Sequence, residues 1–287
     1  MGRALAVFLW VMTGLSVWMF VNGRWWFPRA ISEHGPAYDQ QFILTIVVVG
    51  VAFVTAQVAL GYAVWRFRDT GGDYRAVYSH GNNRMEILWT GVTAVIFITL
   101  ALLGQRVWWN LHMNPAPANS AQVKVTAQQF QWNFHYPGAD GLFGRTDPRK
   151  ISDESINYIG LDDTDPAAAD DAVTQTLVTQ VNRPVELTLA SRDVTHSFWV
   201  PQLRFKQDAV PGLEIKVHFT PQAAGQYEIA CAELCGQQHY KMRSYMLVLP
   251  DDEYTALVAM PQAQFQKRVG ELVKKYPITT GQEQRGY

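Results

Sequence analysis

The residues best suited to chemistry lie in one short segment near the C-terminal end of the chain. The twelve residues 231–242 contain Cys231, Cys235, His239 and Met242, and His196 lies 35 residues before the first cysteine. Sulfur and imidazole ligands together select copper, zinc or an iron–sulfur cluster. Zinc is bound by cysteine, histidine and carboxylates rather than by methionine, and iron–sulfur clusters usually require four thiolates. These ligand types therefore favour copper.

The number of cysteines separates two kinds of copper site. A mononuclear blue-copper site uses one cysteine, two histidines and a weak methionine, so this chain has one cysteine too many. Two thiolates four residues apart can instead bridge two copper ions, with His196 and His239 each completing one ion and Met242 as a weak ligand. A disulfide is the alternative for the two cysteines taken alone. The histidines and the methionine at these offsets favour the metal site.

Short strands must position these ligands. From about Asn110 onward, apolar residues recur at every second position between turns that contain proline and glycine. This pattern predicts an antiparallel β-sandwich or barrel. The runs that show it are Val185, Leu187 and Leu189; Leu213, Ile215, Val217 and Phe219; and Tyr245, Leu247 and Leu249.

Two stretches of the C-terminal half depart from this pattern. Residues 137–172 hold nine acidic and three basic residues, and we interpret them as a long acidic loop. After Pro250, Asp251 and Asp252 are placed to cap a short helix. Residues 262–276 have the spacing of a second helix, with one apolar side formed by Phe265, Val269, Leu272, Val273 and Tyr276.

Three apolar segments precede the strands, at about residues 4–21, 42–64 and 87–107. About 20 helical residues span the roughly 30 Å bilayer core, so the second and third segments are predicted to be transmembrane helices. The first resembles a signal peptide in length, but the bulky residues after it offer no small-residue cleavage site, so we expect a retained helix. Aromatic residues lie where interfacial belts are expected, namely Trp25, Trp26, Phe27, Trp65, Trp108 and Trp109.

The distribution of arginine predicts the orientation of these helices. Short loops rich in lysine and arginine face the cytoplasm. The second loop contains four arginines and Arg3 lies on the same side, whereas the first loop contains only Arg24 and Arg29. We therefore expect the N-terminus and the second loop in the cytoplasm, and the residues after the third helix on the exported side.

The composition excludes several classes of protein. With 24 basic and 25 acidic residues the formal net charge is −1, which provides no basic field for nucleic acid. Charged and apolar residues are too interleaved for general disorder, and two cysteines exclude a disulfide scaffold. The uncharged stretches 43–64 and 87–104 argue against a fully water-soluble protein.

Three motifs together resemble subunit II of heme–copper cytochrome c oxidases. They are D-V-T-H-S at 193–197, F-K-Q-D-A-V-P-G at 205–212 and C-A-E-L-C-G-x-x-H-x-x-M at 231–242, behind a hairpin of two membrane helices. The resemblance covers nearly the whole chain from the second apolar segment onward. It implies a membrane-anchored protein whose transmembrane α-helices precede an all-β, cupredoxin-like sandwich of the Greek-key type. This implies an anchor at 1–109, a copper domain at 110–250 and a helical tail at 251–287.

The resemblance also implies a ligand set and a function. The side-chain ligands of a dinuclear copper centre, CuA, would be His196, Cys231, Cys235, His239 and Met242, with Glu233 ligating through its backbone carbonyl. The Glu233 carboxylate would help to hold Mg²⁺ at the boundary with subunit I. The implied activity is transfer of single electrons from a cytochrome c-type donor to the heme of subunit I, where O₂ is reduced to water with proton translocation. The implied partners are subunits I and III, the donor and the bilayer of a bacterial inner membrane, with the copper domain on the periplasmic side.

Further residues match the family by position. Glu86, at the start of the third apolar segment, is either an ordinary helix-start carboxylate or, by resemblance, the entrance of a proton pathway. The aromatic stretch 130–136 would lie over the copper site, where Phe130 or Trp132 would receive the electron from the donor. Their alternation with Phe134 places all three on one strand face, which either covers the copper site or belongs to the ordinary core. Asp193, Asp208 and the acidic loop would attract a basic donor.

The chain also departs from the family pattern. Phe130 replaces the usual tryptophan, Leu213 replaces an arginine common after the P-G pair, and the first helix is additional. No C-x-x-C-H motif for a fused cytochrome c occurs. The competing interpretations are a quinol oxidase-type subunit II, which lacks the copper ligands, a nitrous oxide reductase, which needs a further large domain, and a membrane-anchored copper-binding or assembly protein.

Overall fold

Long apolar helices occupy the N-terminal part of the computed structural model, which describes residues 1–22, 27–72, 75, 77–78 and 80–279. They are α1 (Gly2–Asn22), α2 (Gly35–Arg66) and α3 (Asn83–His112), and each contains one of the predicted apolar segments. All three are long and apolar enough to cross a membrane. Arg24, Trp25 and Trp26 of the sequence argument lie outside the described residues.

Ten strands within the described residues form two five-stranded sheets. The first sheet contains, in spatial order, β3 (Ala172–Thr174), β2 (Gln131–Tyr136), β1 (Ala121–Gln128), β5 (Val185–Ser191) and β8 (Ile215–Phe219). The second contains β4 (Leu177–Gln180), β10 (Arg243–Leu249), β9 (Gly225–Cys231), β6 (His196–Val200) and β7 (Phe205–Ala209). The pairs β1–β5 and β4–β10 are parallel and the others antiparallel, so the prediction of an antiparallel sandwich is correct except at these two pairs.

The core lies between the facing sheets. Leu187 and Leu189 on β5 are fully buried, as their alternation predicts. The rings of Trp132 on β2 and Phe198 on β6 meet edge to face with centroids 5.7 Å apart, which joins the two sheets. Leu213 is an exception to the predicted pattern, because it lies in the turn before β8 and is exposed.

Two helices, α4 (Asp251–Val258) and α5 (Gln262–Lys275), follow the last strand. The predicted apolar side of α5 is buried at Phe265, Val269 and Leu272. The prediction that Asp251 and Asp252 cap α4 is wrong: both lie inside its first turn, where their charge favours the helix dipole, and no side chain caps the helix.

Residues 137–171, here called the insertion, are folded rather than a simple solvated loop, and Ala172 already belongs to β3. Isolated bridges pair Thr146 with Leu161 and Ser152 with Asn157. Gly160 permits this close packing, because its φ is +68° and a Cβ atom there would lie 2.2 Å from the Asp147 carbonyl oxygen.

The chain between α1 and α2 belongs structurally to the strands. The helices form one compact unit, and residues 27–36 group with the second unit, which contains both sheets, α4 and α5 and is here called the β-domain. The Ile31 amide donates to the Gln202 carbonyl oxygen at 2.8 Å, and the Arg204 guanidinium donates to the Pro28 carbonyl oxygen at 2.7 Å. These bonds hold the segment against the turn between β6 and β7.

Candidate metal centre

Three neighbouring strands of the second sheet place the metal-binding residues at one edge. β6 begins at His196, β9 ends at Cys231, and Phe198 on β6 pairs with Cys231 on β9. The chain then turns through residues 232–242 and enters β10, which runs antiparallel to β9. Because these strand ends coincide, the upstream histidine and the downstream loop meet although 35 residues separate them in sequence.

The donor atoms surround the two cysteine sulfurs. The two Sγ atoms lie 3.9 Å apart. The Cys231 sulfur lies 3.9 Å from His196 Nδ1 and donates to the Glu233 carbonyl oxygen at 3.2 Å. The Cys235 sulfur lies 3.6 Å from His239 Nδ1 and 3.7 Å from Met242 Sδ. The structure therefore brings together all six atoms that the sequence interpretation named.

This donor set fits copper better than the alternatives. A disulfide bond is about 2.05 Å long, so sulfurs 3.9 Å apart are two free thiols. Two nitrogens, two thiols, a thioether and a carbonyl exceed what one tetrahedral metal needs, whereas two thiolate-bridged ions would use them all. His196, Cys235 and Met242 are almost completely buried, so their donor atoms are largely shielded from water.

The two thiols differ in acidity. Burial opposes the ionisation of Cys231, but hydrogen bonds to His196 and to the backbone of Ser197 and Glu233 outweigh it and lower the pKa to about 6. Burial, and then the negative charge of Cys231, raise the pKa of Cys235 to about 12. Cys231 is therefore the more acidic of the two thiols, and binding of a metal by both sulfurs would displace the proton of Cys235.

Asp193 orients the upstream histidine. Its Oδ1 accepts a hydrogen bond from His196 Nε2 at 2.8 Å, which leaves Nδ1 directed toward the cysteine sulfur. Its Oδ2 accepts from the Gln129 amide at 2.7 Å, and the Gln129 side chain donates to the Cys235 carbonyl oxygen at 2.5 Å. One carboxylate thus connects a candidate ligand, the β1–β2 turn and the cysteine loop. The sequence carries no signal for this connection, because Gln129 and Asp193 are 64 residues apart.

The two carboxylates expected to attract the donor both have partners within the chain. The Asp193 side chain is 30% exposed. Asp208 is 40% exposed and accepts from Lys206 at 2.8 Å and from the Ser197 hydroxyl at 2.7 Å, and these bonds lower its pKa. The charge of Asp208 is therefore largely compensated locally, and Asp193 has a positioning role that sequence reasoning missed.

The aromatic stretch does not share one strand face, which corrects the sequence expectation. Phe130 lies in the β1–β2 turn beside Gly236, where an added Cβ would come within 3.1 Å of the ring. Trp132 is 1% exposed and packs with its ring centroid 6.1 Å from that of His196. Phe134 is fully buried. Phe130 alone is half-buried beside the cysteine loop, whereas Trp132 and Phe134 belong to the core.

Glu86 is exposed and lies in the first turn of α3. Its helix is capped by Asn82, whose side-chain oxygen accepts from the amides of Arg84 and Met85. The Glu233 side chain is exposed, and the described residues gather no second carboxylate or histidine with it into a metal cluster.

Two protein-family models match the chain. The model described as "Cytochrome C oxidase subunit II, periplasmic domain" matches residues 121–248, and "Cytochrome C oxidase subunit II, transmembrane domain" matches residues 33–107. The first match contains every candidate copper ligand, whereas α1 lies outside both.

Individual relatives agree with these matches. The alternative cytochrome c oxidase subunit 2 of Bradyrhizobium diazoefficiens is 33% identical over 255 residues, which is 88% of this chain and 90% of that protein. Cytochrome c oxidase subunit 2 of Synechocystis is 30% identical over 267 residues, 87% of this chain and 79% of that protein. The solved periplasmic domain of subunit II of the Bradyrhizobium japonicum cytochrome oxidase matches 53% of this chain and 99% of its own, at 25% identity and a TM-score of 0.39. The two family models and the two relatives of at least 30% identity show that the chain belongs to the cytochrome c oxidase subunit II family, whose members are subunits of terminal oxidoreductase complexes with transmembrane helices and a cupredoxin-like β-domain.

Proposed function

We propose that this chain accepts electrons one at a time from a cytochrome c-type donor at a dinuclear copper centre. The electrons pass to the heme of subunit I, where O₂ is reduced to water with proton translocation. The observation that carries the proposal is the cluster of six donor atoms, two of which are free thiol sulfurs 3.9 Å apart. Two copper ions held there would supply a one-electron couple.

The residues of the chain act by fixing these donors. His196 and Cys231 are anchored on paired strands. The hydrogen bond to Asp193 restricts rotation of the His196 ring, and the hydrogen bond from Gln129 restricts the cysteine loop. Rigid, buried ligands limit rearrangement when charge changes. Protein groups would fill every coordination position, which suits an electron relay and leaves no vacancy for a substrate.

Copper titration of the full chain in detergent tests the proposal. We expect two copper ions per chain and an electron paramagnetic resonance spectrum of one electron shared equally by both. One copper per chain with a localised signal would contradict the proposal and favour a copper-storage or assembly protein. No copper binding at all would favour a quinol oxidase-type subunit.

Glu86 is proposed as the entrance of a proton pathway into subunit I. Its exposed position in the first turn of α3 supports this role. In the assembled oxidase, Glu86→Ala should slow turnover and leave the copper spectrum and subunit assembly unchanged. Turnover equal to that of the wild type would leave Glu86 as an ordinary helix-start carboxylate.

The partners follow from the same proposal. Subunits I and III would complete the oxidase, and the exposed Glu233 carboxylate would contribute to a Mg²⁺ site shared with subunit I. Phe130, half-buried beside the cysteine loop, is proposed as the point where the donor delivers its electron. Trp132 is buried, so we do not propose it as a donor contact.

The proposed location is a bacterial inner membrane with the β-domain on the periplasmic side. The excess of arginine between α2 and α3 supports this orientation. The segment between α1 and α2 supports it as well, because residues 27–36 are bonded to the β-domain and must lie on the same side of the membrane. Accessibility of single cysteines introduced at Glu33 and at Asp69, in a chain whose own thiols are blocked by metal, would test it: only the first should react from the periplasm.

A further inference from the structure

The outer face of the first sheet carries a row of polar side chains across three neighbouring strands. Lys124 on β1 is directly opposite His135 on β2 and Thr188 on β5. These residues face away from the core, because the alternate positions Val123 and Leu187 are buried between the sheets.

The insertion covers this row and, together with it, lines a half-open cavity of about 200 Å³. Thr146, Ile151 and Tyr158 form its outer wall. The cover is attached to the sheet by Asp171, whose Oδ2 accepts from His135 Nε2 at 2.6 Å and from the Gly144 amide at 2.8 Å. It is attached again by Arg192, which donates to the Tyr158 carbonyl oxygen at 3.2 Å.

The lining of the cavity has the opposite charge to its cover. The insertion has nine acidic and three basic residues, yet none of its carboxylates lines the cavity. Several of its acidic side chains are bonded elsewhere, as in the ion pairs of Arg145 with Asp165 and of Arg149 with Asp147. Lys124 and Arg192 line the cavity, against the single carboxylate of Glu214.

These cationic groups and nearby hydroxyls have unused hydrogen-bonding capacity. In the described part of the chain Lys124 forms no ion pair with a carboxylate, and its Nζ lies over the ring of Phe143, 4.6 Å from the ring centroid. Arg192 bonds to neutral acceptors alone, the Gln128 side chain and the Tyr158 carbonyl. The hydroxyls of Thr126 and Thr188 line the same cavity and form no hydrogen bond within the described residues.

We propose that this cavity binds a small oxyanion, with inorganic phosphate as the ion that fits its charge and size. Lys124 and Arg192 supply charge-assisted hydrogen bonds, and Thr126 and Thr188 supply neutral ones. A space of about 200 Å³ is much larger than a single water requires, so it has room for a phosphate ion together with waters. The site is separate from the copper ligands, and its occupant would fasten the insertion to the sheet.

Calorimetric titration of the full chain in detergent with inorganic phosphate, against chloride at constant ionic strength, tests this site. We expect saturable binding at one site per chain and slower amide hydrogen exchange in residues 146–159 when phosphate is present. Lys124→Met should weaken binding about tenfold or more, the value of one charge-assisted hydrogen bond. Lys216→Met is the matched control, because Lys216 lies in the same row opposite Thr188 but is paired with Glu186 at 2.9 Å; it should change binding less than about threefold.

Glu214→Gln separates this proposal from simple misfolding. Removal of the one competing carboxylate should strengthen phosphate binding about two- to threefold, a gain that a damaged fold does not produce. Absence of saturable binding heat up to about 10 mM phosphate would overturn the site. Equal losses in Lys124→Met and Lys216→Met would overturn it too, because the effect would then be general charge screening.

Discussion

The edge of the second sheet that carries the candidate copper ligands and the insertion over the first sheet use polar residues in opposite ways. At the edge, the donors of residues 231–242 converge with His196 on two sulfurs 3.9 Å apart. In the insertion, acidic residues are dispersed into separate local bonds, such as Asp162 with Thr164 and Asp165 with the Arg145 amide. In this molecule, a high local density of one residue type in the sequence is therefore not enough to form a metal site. The donors of residues 231–242 form a cluster because the strand ends bring them and His196 to one point.

The two regions are linked by a single stretch of chain after β5. Arg192 bonds to the insertion at Tyr158, and the next residue, Asp193, bonds to His196 at the copper edge. Despite this link, changes at the edge should alter the metal centre, because the donors lie there. Changes in the insertion, which contains none of these donors, should alter stability and leave the centre intact. The predictions below test this separation, from the largest effect to the smallest.

Replacement of either Cys231 or Cys235 by serine should abolish the two-copper spectrum completely. Cys231 lies with the His196 and Glu233 donors and Cys235 with those of His239 and Met242, and the two sulfurs lie 3.9 Å apart, so a pair of ions bridged by both sulfurs cannot form when one is missing. Electron paramagnetic resonance and copper analysis provide the measurement. Circular dichroism should show unchanged strands, and Met246→Leu, a core methionine beyond the site, should keep the spectrum. An unchanged two-copper spectrum in either cysteine variant would contradict the bridge.

Asp193→Ala should weaken copper binding about 10- to 100-fold, the usual effect of removing a carboxylate that orients a metal-binding histidine. Competition with a copper chelator measures the affinity. Asp208→Ala is the control, because Asp208 bonds to Lys206 and Ser197 and not to a ligand. If both variants keep wild-type affinity and only slow donor oxidation, Asp193 acts in docking and not in positioning.

Asp171→Ala should destabilise the β-domain by about 1–3 kcal/mol, because it leaves the buried His135 and the Gly144 amide without their acceptor. Urea unfolding followed by tryptophan fluorescence measures this loss. The exposed neighbour Asp170, replaced in the same way, should cost less. The copper spectrum should be unchanged in both variants; a changed spectrum in Asp171→Ala would show that the insertion supports the metal centre.

Donor oxidation should slow severalfold as ionic strength rises, because the insertion keeps a net charge of −6 on the β-domain. The screening length falls from about 10 Å at 0.1 M to about 3 Å at 1 M, so long-range attraction of a basic donor fades. Stopped-flow oxidation of a reduced cytochrome c measures the rate. Phe130→Ala should slow it at every salt concentration, with the copper spectrum preserved. A rate independent of salt would remove the steering role of the insertion.

The stability of the β-domain should fall modestly as pH drops from about 6.5 toward 4. Burial lowers the pKa of His34 from 6.5 to about 4. The unfolded chain therefore binds a proton in this window that the folded chain excludes, so the stabilisation is complete above 6.5 and is lost as pH falls. Urea unfolding at pH 7 and pH 5 measures the difference. His34→Gln should flatten the dependence, whereas exposed His80→Gln should not; equal slopes in wild type and His34→Gln would assign the effect to other groups.

Several features of this chain follow from the sequence without its fold. The lengths of the apolar segments identify three helices able to cross a membrane, because span length is set by the bilayer. The spacing of Cys231, Cys235, His239 and Met242 identifies the metal-binding loop, because ligands on one short loop must lie near each other. The alternation in β5 predicts its buried face, because side chains alternate across any strand.

Other features were decided by tertiary structure alone. Trp132 and Phe130 are two residues apart, yet one lies in the core and the other in a turn, because Gln129 and Phe130 form the turn and only Trp132 belongs to β2. In the sequence Asp193 resembles an ordinary surface carboxylate. It accepts hydrogen bonds from His196 and Gln129 only because the fold brings β1, β5 and β6 together. Local spacing fixes which residues are neighbours along the chain, whereas sheet register fixes which distant polar groups become partners, and no single-sequence pattern encodes that register.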